Sequence, residues 1–468
     1  MTKIVIDPVT RVSGFLEIEV QLEKNEIVDA KCSGMQFRGF EKMFQGRPPL
    51  DAVRLTERIC GICSTHHSVA SALALENALN VFVDENDKMV RDIVNGLEFL
   101  QNHLRQVYLF TMPDFVRLPD INPIHKDIPS DFRLPKRIND RISQNYMKST
   151  TYSRDAHKAL AILAGKAPHN HGVFVGGITT NMNIGSLQPV KVIVDSIRNF
   201  IEGELMEDIY TIAGFYNDYF NIGKGYKNFM SYGLYDTYKS SELTYCKPGI
   251  LVDGKFYNLD MNKITQDTTY AWFEPDGKIR VPGDEPPTPN PYKKDAYSWV
   301  YAPRYEGKVM SVGPLARMIL SGNYENKTST MDRIIARVLE AEKICKIVQC
   351  LLESVKLQPA NQKQYEVPER ALGVGAIDAS RGGLAHWISI ENKLIKNYTV
   401  ITPTAWNLSP ADEKGLKGEA EKALIGTHIE DIKNPVEIGR IIRSYDPCLT
   451  CAAHIVSDRH APIKIRVV

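Results

Sequence analysis

Residues 1–33 alternate between apolar and polar positions. In this stretch Leu16, Ile18, Val20 and Leu22 share one face, and a period of two is typical of a strand with one buried face. Lys24-Asn25 predicts a turn, and residues 26–32 predict a returning strand. The pattern therefore predicts a small antiparallel sheet at the N-terminal end.

Four later segments carry apolar residues at three- and four-residue spacing, which predicts long helices. These segments are residues 68–79, 90–109, 189–220 and 333–355. Residues 232–307 are rich in Gly, Pro, Asp and aromatic residues, which predicts an irregular, partly β excursion. Residues 376–402 read as a further β-like stretch.

We therefore expect an α+β, mainly helical fold. Its core would be a bundle of long helices, with peripheral β segments near the N-terminus and in the middle of the chain. Soft boundaries without internal repeats leave one intertwined domain as likely as several, and a site shared by both ends of the chain would favour a single domain over residues 1–454.

Composition narrows the possible functions. Among 468 residues, 57 Lys and Arg balance 56 Asp and Glu, so the net charge is +1. This balance lacks the basic excess of a nucleic-acid-binding protein, so no nucleic-acid partner is expected. No apolar run approaches the length of a membrane span, and the first residues lack the apolar core of a secretory signal.

Two C-x-x-C pairs are the strongest chemical signal, Cys60 with Cys63 and Cys448 with Cys451. Four thiolates from two loops can hold zinc, an iron–sulfur cluster or nickel. Zinc ribbons usually keep their pairs within about 15–20 residues, whereas these pairs lie near opposite ends of the chain. A shared site would require the fold to bring both ends together. The other cysteines have no partner at ligand spacing and are expected to be packing residues: Cys32, Cys246, Cys345 and Cys350.

Collinear motifs around these pairs resemble the large subunit of nickel–iron hydrogenases over essentially the whole chain. The motifs are residues 7–12, 38–41, 58–63 with His67, 302–305, 312–317, 381–383, 402–407 and 446–454. The resemblance implies reversible heterolytic cleavage of H2 to protons and electrons at a Ni-Fe(CN)2CO centre. It also implies that Cys60 and Cys448 are terminal nickel ligands and that Cys63 and Cys451 bridge nickel and iron. Two alternatives are a non-catalytic relative of this fold, like the quinone-site subunit of complex I, and a structural four-cysteine zinc protein.

The resemblance assigns roles to further residues. Arg381 would lie over the open side of the metals, where it polarises hydrogen or binds a cyanide, and Thr404 would donate a hydrogen bond to another cyanide. His67 would form hydrogen bonds around the centre, and Asp446 would orient the second cysteine loop. The neighbouring His66 is expected to be an ordinary core residue.

A second metal site is implied near the C-terminus. Glu41, the backbone carbonyl of Val400 and His454 match the family's Mg²⁺ or Fe²⁺ site, and hard oxygen ligands with waters suit magnesium.

The resemblance also implies partners and processing. An iron–sulfur small subunit would receive the electrons, because the chain has no spare cysteine set for a relay. Residues 455–468 would be a C-terminal propeptide, which a maturation endopeptidase removes between His454 and Ile455 after nickel-insertion factors have acted. The location would be cytoplasmic, or membrane-peripheral or exported together with the small subunit.

The chain departs from the family pattern at two places. The family usually has Arg-Ile-Glu-Gly-His near its start, and the Glu is its usual first proton acceptor beyond the terminal cysteine. Here Ser13 replaces the Glu and Phe15 replaces the His. A hydroxyl has no useful pKa as a proton store, so we hypothesise a rerouted proton path. Ser380 stands immediately before Arg381 where the family commonly has Pro.

Overall fold

The computed structural model describes residues 2–119, 131–274, 279–325, 327–361 and 363–452. The N-terminal sheet is antiparallel, in the order β1 (Thr2–Ile6), β2 (Leu16–Glu23) and β3 (Glu26–Gly34). The predicted turn is confirmed, since Lys24 and Asn25 both have positive φ. The first strand, β1, was not predicted.

Helices make up most of the remaining regular structure. They are α1 (Phe40–Phe44), α2 (Asp51–Thr56), α3 (Ser64–Leu79), α4 (Glu85–Arg105), α5 (Lys136–Ala164), α6 (Ile184–Phe200), α7 (Met206–Phe215), α8 (Pro314–Leu320), α9 (Thr330–Ser354), α10 (Pro403–Asn407), α11 (Glu419–Leu424), α12 (Val436–Ser444) and α13 (Leu449–Ala452). The four predicted helical segments all contain helix. However, α6 begins before Pro189, where Asn183 caps the helix by accepting from the Ser186 N–H.

The described part of residues 232–307 forms short strands joined by irregular segments, as predicted, and further strands lie before and after it. The strands are β4 (Phe37–Arg38), β5 (Val173–Phe174), β6 (Gly177–Ile178), β7 (Phe229–Ser231), β8 (Gly249–Val252), β9 (Lys255–Tyr257), β10 (Ile264–Asp267), β11 (Phe273–Glu274), β12 (Ile279–Arg280), β13 (Thr288–Pro289), β14 (Ala302–Tyr305), β15 (Arg370–Ala379), β16 (Gly382–Glu391) and β17 (Leu394–Ile401). The last three form one antiparallel sheet in the order β15-β16-β17.

The sheet of β15, β16 and β17 contains the β-like stretch expected at residues 376–402, and it lies against the buried helix α3. Close packing explains this position, because two glycines of β15 face the backbone of α3. A Cβ on Gly373 would lie 2.1 Å from the Ala74 carbonyl oxygen, and one on Gly375 would lie 2.0 Å from that of Ala70. Without side chains at these points, the strand approaches the helix backbone directly.

Helix α5 was missed by the periodicity of apolar residues. It packs along α4, but small and polar residues make up much of its buried face. Those residues are Ser143, Asn145, Ser149, Ser153 and Ala156. Because small side chains give little hydrophobic signal, the pattern of the sequence is weak there.

The two ends of the chain meet, as the cysteine pairs require. Ser13 and Cys448 form an isolated parallel bridge. In this bridge the Ser13 N–H donates to the Pro447 carbonyl at 3.2 Å, and the Leu449 N–H donates to the Ser13 carbonyl at 2.7 Å. The N-terminal segment therefore holds the second cysteine loop by its backbone. Over the described residues, we find no helix of the length and apolarity needed to cross a membrane.

Gly375→Ala tests the contact between β15 and α3. The added methyl group would overlap the Ala70 carbonyl, so the free energy of unfolding should fall by about 1–3 kcal/mol. Gly214→Ala in α7 is the matched control, because its Cβ would meet open space and should be neutral or stabilise by up to about 1 kcal/mol. Denaturant unfolding measures both. Equal stabilities for the two variants would contradict the close packing.

Candidate metal centre

Four cysteine sulfurs lie together in the interior, and all four belong to free cysteines. The Sγ–Sγ distances are 3.3 Å for Cys60 and Cys448, 3.2 Å for Cys63 and Cys451, and 3.0 Å for Cys448 and Cys451. These distances exceed a disulfide bond of about 2.05 Å. All four ligand atoms lie within 4.8 Å of one another, which is the arrangement of a metal-binding group.

Local structure aims each cysteine pair at this point. In the first loop, Cys60 is extended and Cys63 immediately precedes α3, so both sulfurs sit at the start of a buried helix. In the second loop, Asp446 has φ +56°, a left-handed conformation that Asp and Asn adopt more readily than most residues. This turn ends the chain segment from α12 and lets Cys448 and Cys451 face the same side.

Arg38 joins the two cysteine loops through their backbones. Its guanidinium donates to the Arg58 carbonyl at 3.1 Å and the Thr450 carbonyl at 2.5 Å, and also to the Ile59 carbonyl. The residue belongs to a motif quoted above, but its partners are carbonyl oxygens, which no side-chain pattern reveals. Arg38 is therefore a positioning residue that the sequence did not identify.

Arg381 lies in the turn between β15 and β16 and is buried beside the thiols. Its Nε donates to the Asp446 carbonyl at 3.1 Å and pairs with the Asp446 carboxylate at 3.0 Å, and its Nη1 donates to Asn102 Oδ1 at 3.1 Å. Burial alone would lower the pKa of Arg381, but Asp446 and then the thiols raise it well above its usual range. The guanidinium therefore stays charged at the site.

Asp446 also pairs with a second buried guanidinium. Arg337 Nη1 lies 3.2 Å from Asp446 Oδ2, and Arg337 also contacts His103 Nδ1 at 3.2 Å. From there the network continues through Glu340 to Arg317. The expected orienting role of Asp446 thus has a physical basis, because the carboxylate fixes two cations around the second cysteine loop.

The pKa values of the two thiols in the second loop, Cys448 and Cys451, are shifted in opposite directions. Hydrogen bonds, first from Cys451 and then from Cys60 and Cys63, hold the pKa of the Cys448 thiol well below its usual range. Burial raises the pKa of the Cys451 thiol. Negative charge is therefore favoured at Cys448 over Cys451.

A small cavity adjoins three of the sulfurs. Its lining includes Cys63, Cys448 and Cys451 together with His67, Ser380, Arg381 and Thr404. Two buried donors here, Arg381 Nη2 and Ser380 Oγ, have no hydrogen-bond partner among the described residues. Buried groups of this kind are normally paired, so the cavity fits a group that accepts hydrogen bonds. Thr404 Oγ1 accepts from the Cys448 N–H at 3.0 Å, which leaves its hydroxyl hydrogen for another acceptor.

His67 is buried and faces His386, with 3.2 Å between Nδ1 and Nε2. Burial lowers the pKa of His67 to about 4, so the ring is neutral. His66 does more than fill the core. Its Nδ1 lies 2.6 Å from Asn95 Oδ1 and its Nε2 accepts from the Ser380 N–H at 3.3 Å, so it ties α3 to the turn that carries Arg381.

The other predicted site residues do not line the cavity beside the thiols, or they lie outside the described residues. Glu41 is buried, and its Oε1 accepts from the Val400 N–H at 3.0 Å, so these two residues are neighbours. Burial raises the pKa of Glu41, while Arg280, Val400 and Tyr301 oppose this shift. His454 and Ile455 lie outside the described residues. The packing cysteines are buried except Cys350, which is partly exposed on α9.

The centre defines a class of protein, namely one with a buried group of four thiols that could hold a metal. Comparisons with known proteins specify the class further. The family model described as nickel-dependent hydrogenase matches residues 38–128, 124–329 and 322–454. The periplasmic [NiFeSe] hydrogenase large subunit of Desulfomicrobium baculatum is 35% identical, over 97% of this chain and 95% of that protein. The hydrogenase-2 large chain of Escherichia coli is 27% identical, over 99% of both.

Solved structures agree. The H2-activated [NiFeSe] hydrogenase of D. baculatum superposes with a TM-score of 0.92 at 34% identity, covering 97% of this chain and all of that one. The reduced Ni-Fe-Se hydrogenase of Desulfovibrio vulgaris Hildenborough gives a TM-score of 0.92 at 35% identity, with the same coverage of both chains. The chain belongs to the nickel-dependent hydrogenase family, and it is a large, catalytic subunit. All four residues of the thiol cluster are cysteine in this sequence, with no selenocysteine among them.

Asp446→Asn tests the charge that holds the second loop. Asn tolerates the left-handed backbone, so the variant removes only the carboxylate and leaves Arg381 and Arg337 without it. The free energy of unfolding should fall by about 3–5 kcal/mol, because a buried ion pair is broken on one side. The control is Asp253→Asn, whose carboxylate is 80% exposed. A loss no larger than that of the control would contradict the role of Asp446.

Proposed function

We propose that the four thiolates hold a Ni-Fe(CN)2CO centre that cleaves H2 reversibly into protons and electrons. Cys60 and Cys448 would be the terminal nickel ligands, and Cys63 and Cys451 would bridge nickel and iron. The observation that carries the proposal is the quartet of buried free thiols beside a cavity with unpartnered donors. When bound, the centre supplies the metal ions at which dihydrogen is polarised.

The pairing of the sulfurs supports this division of roles. Equivalent members of the two motifs are neighbours, with Cys60 beside Cys448 and Cys63 beside Cys451. The cavity is lined by both proposed bridging residues and by Cys448, whereas Cys60 does not line it. The residues that line this cavity would therefore surround the iron and its small ligands.

The donors of the cavity suit the two cyanides. Among the described residues Arg381 Nη2 has no partner, and the hydroxyl hydrogen of Thr404 is left for another acceptor. Ser380 adds a third donor, Oγ, where the family commonly has Pro, so this chain would hold one cyanide by an additional hydrogen bond. Asp446 already pairs with the Arg381 Nε, and a cyanide would give the remaining nitrogen, Nη2, an anionic acceptor.

We assign a second metal site, for Mg²⁺ or Fe²⁺, to Glu41, the Val400 carbonyl and His454. Support comes from the buried carboxylate of Glu41 next to the Val400 backbone. A divalent cation would offset the desolvation of this carboxylate, and the remaining oxygen ligands would include water.

An iron–sulfur small subunit is the proposed electron partner. The relatives compared are named as large subunits or large chains, which supports a second, smaller chain in the assembly. Within the described residues, the group of four cysteines is the one cluster of metal-ligand side chains. Electrons would therefore leave through cofactors of the partner.

Infrared spectroscopy of the purified enzyme tests the centre. Bound CO and cyanide should give stretching bands that no zinc protein can show, and metal analysis should find nickel and iron together. Cys451→Ser should lose the bands because a bridging thiolate is missing, while Cys350→Ser on the partly exposed side of α9 should keep them. Zinc alone, with no such bands, would refute the proposal.

Maturation is proposed to remove residues 455–468 by endopeptidase cleavage between His454 and Ile455, after nickel-insertion factors load the site. Intact mass spectrometry should find the metal-loaded protein ending at His454. Protein made without nickel is the control and should keep its full length. Active, loaded protein that still ends at Val468 would rule the cleavage out.

A further inference from the structure

Cleavage of dihydrogen releases protons inside a site from which solvent is excluded. Cys448 is fully buried, and the other three sulfurs belong to residues that are at most 6% exposed. A proton formed here needs a hydrogen-bonded route to water. The groups that touch the sulfurs therefore decide where it can leave.

One side-chain hydroxyl contacts the sulfurs. Thr450 Oγ1 lies 3.2 Å from Cys448 Sγ and 3.7 Å from Cys60 Sγ. The four sulfurs also contact one another. In the described part of the chain they receive one further hydrogen bond, from the Ile62 backbone N–H to Cys60 Sγ at 3.3 Å. An amide N–H is a donor without a lone pair to receive a proton. Thr450 is thus the group that can accept one.

Ser13 provides the next hydroxyl. Its Oγ lies 3.2 Å from Thr450 Oγ1, and backbone hydrogen bonds to Pro447 and Leu449 fix its position. Gly14 permits this approach, because its φ of +89° and an added Cβ only 2.7 Å from the Thr450 nitrogen both disfavour a side chain. Ser13 and Thr450 are partly exposed, whereas Cys448 is not. The two hydroxyls therefore lead from the buried sulfur toward partly exposed residues of this chain.

We propose that Thr450 and Ser13 form a two-hydroxyl relay that carries protons between Cys448 Sγ and water, an inference that rests on the proposed function. The proton on Cys448 Sγ moves to Thr450 Oγ1, the Thr450 hydroxyl proton moves to Ser13 Oγ, and the Ser13 proton moves to water. Each oxygen gains one proton and loses one, so both residues end neutral, and no electron moves along the relay. Rotation of the two hydroxyls restores the starting state.

The relay replaces the carboxylate that the family usually has at the position of Ser13. No hydrogen bond of Ser13 or Thr450 within the described residues goes to a carboxylate. The path therefore consists of groups that pass protons without storing them.

Thr450→Val in the assembled, metal-loaded enzyme is the direct test, because Val has nearly the same shape but no hydroxyl. Conversion of parahydrogen to orthohydrogen needs H–H cleavage but no proton exit, and it should persist. Exchange of D2 with water needs proton exit and should fall roughly tenfold or more, within the range of lost proton-transfer groups. Thr450→Ser keeps the hydroxyl and should retain the wild-type exchange rate.

A readout independent of turnover is the infrared CO band. Loss of the hydroxyl beside Cys448 Sγ changes the electron density on that sulfur, so the band should shift in Thr450→Val and return to the wild-type position in Thr450→Ser. Ser13→Ala should slow exchange without moving the band, because Ser13 does not touch a sulfur. It also keeps the proposal testable if Thr450→Val fails to load metal.

The double variant separates one path from two. If Thr450→Val and Ser13→Ala act on one relay, the double variant should be no slower than the slower single variant. Wild-type exchange in both single variants, in enzyme that shows normal CO and cyanide bands, would overturn the relay alone. Absence of those bands from the wild-type enzyme would instead overturn the proposed function.

Discussion

The structure depends on one constraint: two cysteine loops separated by nearly the whole chain must meet at one buried point. Neither loop can do this through its own sequence. Arg38 donates to backbone carbonyls of both loops, and Ser13 pairs with the second loop in a parallel bridge. Helix α3 fixes the first loop, and glycines in β15 let the sheet close against that helix. The long helices and the sheets thus serve to position four sulfur atoms.

Burial of charge is the main energetic problem of such a site. Desolvation disfavours both thiolates and guanidiniums, and the chain pairs them against each other. Arg381 lies between the Asp446 carboxylate and the thiols, and Arg337 holds the other oxygen of Asp446. The charge of Arg381 is stabilised by Asp446 first and by the sulfurs second. An anionic centre in the adjoining cavity would complete this balance, because Arg381 Nη2 has no partner among the described residues.

The parts that the sequence predicted are those with a strong local signal. Alternation along β2 and ligand spacing in the cysteine pairs both depend on side-chain identity at fixed intervals, so the N-terminal sheet and the thiol quartet could be predicted. Helix α5 could not, because small polar residues form much of its buried face. Arg38 and His66 were missed as positioning residues because they act on backbone atoms of distant segments. The β-like stretch at residues 376–402 was expected, but its close contact with α3 was not, since the sequence does not reveal what a glycine faces.

The exchange of a carboxylate for Ser13 changes how the site can handle protons. A carboxylate can hold a proton and release it later, so cleavage and exit can occur at separate times. Hydroxyls ionise far from neutral pH, and neither of their charged forms is populated, so transfer along Thr450 and Ser13 must be nearly concerted. Both residues belong to the segments whose backbones join the two ends of the chain. Any motion that breaks the backbone hydrogen bonds between these two segments would therefore interrupt the proton path and also loosen the second cysteine loop. Turnover would thus depend on this contact.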